Sequence, residues 1–113
     1  MKAFKNLGLS DATLKVLEKK GFEAPTPIQL QTIPAILLGK KDIIGQAQTG
    51  TGKTAAFGLP ILENMKKKPN TVQTLVLTPT RELAVQVAEE MHSLKGDKNL
   101  SIVPIYGGQS MVL

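Results

Sequence analysis

The chain has 113 residues, 42% hydrophobic and 20% charged, which is room for one globular domain, and with aromatics at only 4% its core must be mainly aliphatic. It has no cysteine, so it holds neither a disulfide nor a thiolate metal site, and no apolar stretch approaches the ~18 residues that would span a bilayer. The net charge of +5 suits a polyanionic partner, nucleic acid above all, and the start MKAFKNLGLS lacks an apolar core of signal-peptide length, which points to a cytoplasmic protein.

Ser10 stands as an N-cap before DATLKVLEKK, where Leu14 and Leu17 share a face and Lys15, Lys19 and Lys20 point outward. This predicts a helix over 11–20, stapled by Leu9 and Leu14 and stopped by Gly21, with its lysines near the end that favours cations. In FEAPTPIQLQTIPAILLGKKD, Thr26 and Pro27 read as N-cap and first helical residue. That helix runs toward Leu38, is kinked or restarted at Pro34, and ends at Gly39. Asp42 to Gln46 reads as a buried strand feeding into glycines. Residues 53–66 form a helix that is apolar on most sides, with Pro60 as an irregularity, followed by a lysine-rich loop. TLVLT, residues 74–78, is the clearest strand, with the continuous apolar centre of parallel sheets. Leu83, Ala84, Val87, Ala88, Met91 and Leu94 then mark one face of a helix, and residues 101–106 form a third strand running into Gly107 and Gly108. The order α-α-β-α-β-α-β predicts an α/β fold, a parallel sheet with helices on both faces. His92, Lys66 to Lys68, Glu89 and Glu90 read as solvated side chains with no site role.

AQTGTGKT, residues 47–54, lies between the first strand and a helix beginning Lys-Thr, which is the arrangement of a P-loop. Gly50 and Gly52 lack a Cβ, so backbone N–H groups can turn toward phosphate oxygens, and the following helix aims its free N–H groups at the same anion. Lys53 supplies a charge for the β- and γ-phosphates, and Thr54 a hydroxyl for Mg²⁺. Ala47 departs from the general GxxxxGK[ST] pattern at its first position.

With these residues in hand, the chain resembles the N-terminal part of the first RecA-like domain of a DEAD-box RNA helicase. GFEAPTPIQ (21–29) looks like the Q motif, with Phe4 as its isolated upstream aromatic. AQTGTGKT (Ala47, Gln48, Thr49, Gly50, Thr51, Gly52, Lys53, Thr54) resembles motif I, where the family itself uses Ala first. PTRELA (79–84) resembles motif Ia, and Gly107-Gly108 the short GG motif. The resemblance implies a P-loop NTPase fold that binds ATP and Mg²⁺. Phe4 would stack on adenine, Gln29 would read the base edge that pairs a donor with an acceptor, and Thr26 would fix that loop. It also implies that Pro79, Thr80, Arg81, Glu82, Gly107 and Gly108 face an RNA sugar–phosphate backbone without reading sequence. From the residues alone, Thr80 equally reads as a helix cap and Glu82 as a complement to the helix dipole.

The resemblance also shows what 113 residues leave out. No Asp-Glu-Ala-Asp and no Ser-Ala-Thr occurs, and Arg81 is the only arginine. An arginine finger alone contributes about 10³–10⁵ in rate. The expectation is therefore a piece of a helicase core, with about three strands of an interrupted sheet, that binds ATP without cleaving it. The alternative is a truncated, non-catalytic module that binds nucleotide and RNA.

Overall fold

The computed structural model describes residues 2–48 and 52–107. Five helices follow in order: α1 (Lys2–Lys5), α2 (Asp11–Lys19), α3 (Pro27–Leu38), α4 (Lys53–Asn64) and α5 (Arg81–Lys95). The four longer ones fall where pattern and caps put them. Ser10 accepts from the backbone N–H of Thr13, and Thr80 from that of Leu83, so α2 and α5 each start on a hydroxyl cap. α3 starts on a full capping box. The N–H of Gln29 donates to the Thr26 hydroxyl at 3.4 Å, and the Gln29 side-chain oxygen accepts from the N–H of Thr26 at 3.0 Å.

Both expected helix irregularities are absorbed without a break. Pro60 has no N–H to offer the carbonyl of Ala56; the Thr32 hydroxyl of α3, whose one proton goes chiefly to the Ile28 carbonyl at 2.7 Å, lies 3.3 Å from it and shares that proton weakly. Pro34 lies on the exposed side of α3, and Leu30, whose carbonyl it leaves unbonded, is 48% exposed, so water can serve that carbonyl.

One aliphatic core joins the helices. Leu17 of α2, Ile33 of α3, Leu59 and Leu62 of α4, and Met91 and Leu94 of α5 meet there, with Phe4, Leu7 and Leu9 closing it from the N-terminal side. α4 is the centre of this layer, packed between α3 and α5 and buried on most sides.

The expected sheet is not present: among the described residues, 42–48, 71–78 and 101–106 form no strand. A strand needs a ladder of backbone bonds to a neighbour, and apolar composition alone does not supply one. The apolar side chains of these segments stay uncovered, with Ile44 95%, Leu75 78% and Ile105 78% exposed. Burial still alternates along 101–107, where Ile102, Pro104 and Tyr106 are partly covered and Ser101, Val103 and Ile105 are open. That is the two-residue period of a strand with one face covered.

A polar tie links the two ends of the helical layer. Glu63, in the last turn of α4, accepts from the N–H of Ser10 at 3.0 Å and from the hydroxyl of Thr13 at 2.8 Å. Burial pushes its carboxyl up, but these bonds and the charge of Lys98 outweigh that and hold it below 4.5. A carboxyl depressed on folding stabilises the fold above its ordinary value and loses that contribution as pH falls through the folded value. Glu63→Gln is therefore expected to be less stable than the unmodified chain at pH 7, with the gap closing below pH 4.5. Urea titrations at both pH values check this, and a gap that widens in acid would refute it.

Candidate functional site

α4 begins unlike its neighbours. Gly52 occupies its N-cap in the left-handed region, φ 81°, and no side chain caps the helix, whereas Ser10, Thr26 and Thr80 cap the others. The first N–H groups of α4 are thus not taken by a cap and are open to an anion. Lys53 stands exposed at this end and Thr54 follows, partly buried. Lys53 lines an open pocket of about 490 Å³ with Gly45, Gln46, Ala47 and Gln48. An exposed ammonium, an uncapped helix start and an open hollow can hold a phosphate chain. Thr49, Gly50 and Thr51, the middle of the expected phosphate loop, lie outside the described residues.

Gln29 braces this helix start. It is 2% exposed, and while its oxygen closes the capping box, its Nε2 donates to the carbonyl of Gly52 at 3.2 Å. A Cβ built on Gly52 would run into that same nitrogen. Thr26 and Gln29 are therefore one unit with the phosphate loop's last glycine, across 23 residues of sequence. Sequence reading assigns no such contact; the Thr26-x-x-Gln29 spacing signals the capping box alone, not the bond to Gly52.

Phe4 departs from its expected place. It is fully buried in α1, in the core, with its ring 6.0 Å from that of Phe22 in an edge-on arrangement. No face of the ring is open to a base in this structure. The isolated aromatic ahead of Gly21 gives no sequence signal of this burial, because its partner Phe22 comes next to it only through the turn between α2 and α3.

The third group of site residues gathers at the start of α5. Pro79, Thr80, Arg81 and Glu82 are all exposed. The Arg81 guanidinium lies over the ring of Tyr106, 5.4 Å from its centre, a cation–π contact that joins the beginning of α5 to the segment before Gly107. Gly107 is exposed, and a Cβ there would meet nothing within 4 Å. Gly108 lies outside the described residues. Tyr106 is a residue that sequence reading leaves without a role.

A family model, the DEAD/DEAH box helicase, matches residues 26–112. The chain belongs to the DEAD/DEAH box helicase family. It is 55% identical over 111 residues to the DEAD-box ATP-dependent RNA helicase CshA of Geobacillus kaustophilus, covering 98% of this chain and 24% of that protein. Among solved structures, a DEAD box protein from Methanococcus jannaschii superposes with a TM-score of 0.90 at 50% identity, over 96% of this chain and 30% of that one. The RNA helicase Prp28 of Chaetomium thermophilum, bound to ADP, superposes with a TM-score of 0.83 at 39% identity, over 97% and 28%. The chain thus spans about a quarter of the length of its curated DEAD-box relative. Residues 26–112 include Thr26, Gln29, Gly52 and Lys53 and the start of α5, so the braced helix start described above lies within the matched region. Among the described residues no helix is long and apolar enough to cross a membrane.

Proposed function

We propose that this chain is the N-terminal portion of the first RecA-like domain of a DEAD-box ATP-dependent RNA helicase, residues 1–113, and that by itself it binds ATP without hydrolysing it. One observation carries the nucleotide reading. α4 is the only long helix among the described residues that starts without a side-chain cap, and it does so on the motif that would cradle phosphate. Lys53 and the α4 backbone would hold the triphosphate. Thr54 would offer its hydroxyl to Mg²⁺, the ion that neutralises charge between the β- and γ-phosphates. The residues present fit this group: an uncapped helix start and Lys53 stand at a hollow lined by Gly45, Gln46, Ala47 and Gln48, and Thr54 follows Lys53 on the same helix.

Gln29 remains the adenine reader in this proposal. Its amide uses one N–H and one lone pair internally, which leaves one of each for a base. Phe4 could stack on adenine only if α1 left the core, so base recognition rests on Gln29 and Thr26 here. Thr80, Arg81, Glu82 and Gly107 face RNA, with Tyr106 holding the Arg81 guanidinium at that edge.

Absence of turnover follows from the missing Asp-Glu-Ala-Asp, Ser-Ala-Thr and arginine finger. The second reading is a truncated, non-catalytic module that binds nucleotide and RNA. Calorimetric titration with Mg-ATP and a coupled phosphate-release assay with RNA test the proposal together. Binding weakened by Lys53→Ala, with no phosphate released, is the expected result. RNA-stimulated release that Lys53→Ala abolishes would overturn the non-hydrolytic part, and no ATP binding at all would overturn the rest.

A further inference from the structure

We propose that a groove between α2 and the C-terminal end of α5, remote from the phosphate loop, binds the phosphate backbone of single-stranded RNA. The groove has a volume of about 670 Å³ and brings together Lys15, Lys19 and Lys20 from α2 with Lys95 and Lys98 from the end of α5 and the turn after it; Asp97 is its one carboxylate. Five ammonium groups thus converge from two elements that are far apart in sequence.

Their charge is left uncompensated. Every bond these lysines make ends on a neutral oxygen: Lys20 on the Ser93 hydroxyl at 2.7 Å, Lys95 on the Lys98 carbonyl at 3.1 Å, and Lys98 on the Leu62 carbonyl at 3.1 Å and the Thr13 hydroxyl at 3.5 Å. Lys15 and Lys19 line the groove with no partner among the described residues. Glu63 attracts Lys98 from behind, but its oxygen is already bonded to Ser10 and Thr13. The C-termini of α2 and α5 also end here and offset about one unit of charge between them. An excess of positive charge remains, and burying bare ammonium groups under another apolar layer would be costly. The groove is therefore a surface for solvent or for a polyanion.

RNA fits better than an acidic peptide. Carboxylates are gripped best by the planar fork of arginine and by apolar anchors in a pocket, and the groove lining contains neither an arginine nor an aromatic. Lysines are point charges that suit phosphates without reading bases. Lys15 and Lys19 sit one helical turn apart, about 6 Å along α2, so they can meet successive phosphates of an extended strand. α5 separates this groove from Arg81 by about 20 Å of helix, which makes it a second contact surface and not a continuation of the first.

The choice of RNA rests on the RNA reading proposed above, and the experiment separates the two. Fluorescence anisotropy of a labelled single-stranded oligouridylate is measured against salt for the whole chain, for Lys15→Glu with Lys19→Glu, and for Lys66→Glu with Lys67→Glu, which makes the same charge change on a distant loop. The first pair is expected to weaken RNA binding at least tenfold and to flatten the salt slope by about 1.4, the release expected for two phosphates on a single strand. The loop pair should change both far less, and ATP affinity should hold in both. Photo-crosslinking of the unmodified chain should mark residues within 12–20 and 95–98. Equal losses from both pairs would show that only net charge matters and would overturn the groove. RNA binding untouched by the first pair would overturn the groove while leaving the RNA reading in place. No RNA binding by the unmodified chain would overturn both. Polyglutamate competing better than RNA would replace the proposal with an acidic protein partner.

Discussion

Gly52→Ala is expected to destabilise the chain by about 2–5 kcal/mol and to weaken ATP binding at least tenfold. Two costs add at this one position. The first is conformational: φ is 81°, and an L side chain in the left-handed region costs about 1–2 kcal/mol. The second is steric and polar. The new methyl would displace the Gln29 amide, leaving a nearly buried side chain and the Gly52 carbonyl without their mutual bond, at about 1–3 kcal/mol. Gly21→Ala separates the terms, because Gly21 has φ 83° and nothing within 4 Å of a built Cβ. It should show the conformational cost alone. For a chain this small the Gly52 variant should melt about 10 °C or more lower, and the Gly21 variant by roughly half that. Equal losses in the two variants would mean that the contact with Gln29 contributes nothing.

Gln29→Glu should separate binding from folding. A glutamate at this third helical position still accepts from the N–H of Thr26, so the capping box and the start of α3 survive. At the other end the carboxylate meets the Gly52 carbonyl, oxygen against oxygen where the amide had donated, at a side chain only 2% exposed. Repulsion there pushes the α4 start away from its braced position and adds negative charge beside the phosphate hollow. We expect ATP affinity to fall tenfold or more while helix content by circular dichroism is kept. Lowering the pH should recover part of the affinity, because a protonated carboxyl can donate to Gly52 again. Gln29→Ala loses both bonds and should also narrow the preference for ATP over GTP. An unmodified chain that binds ATP and GTP equally would remove Gln29 from base recognition. A Gln29→Glu chain with full affinity would show that the bond to Gly52 is dispensable.

How much of this was legible in sequence depended on the range of the forces involved. Ser10, Thr26 and Thr80 announce α2, α3 and α5 because a cap acts over three residues, and the apolar period of α5 names its buried face over fifteen. The end of the 53–66 helix fell two residues earlier than expected, at Asn64, as helix ends commonly do. By contrast, Phe4 looked free because nothing in the first twenty residues reveals Phe22 as its neighbour. The lysines of α2 looked like ordinary dipole partners until α5 brought Lys95 and Lys98 to the same groove. Thr32 gave no sign that it would serve the carbonyl orphaned by Pro60.

The three apolar segments mark the boundary most clearly. Their composition specifies strands, and 101–107 even keeps the alternating burial of one, yet no ladder forms. Strand propensity is a local preference, whereas a ladder needs a second backbone alongside. By itself, the sequence determined the four longer helices, the hydroxyl caps of three of them and membership of the helicase family, all of which are written within short windows. Tertiary structure alone decided that Gln29 braces Gly52, that Tyr106 holds Arg81, that Phe4 is core, and that five lysines share one groove. Each of those depends on groups that sequence separates and only packing brings within a few ångströms.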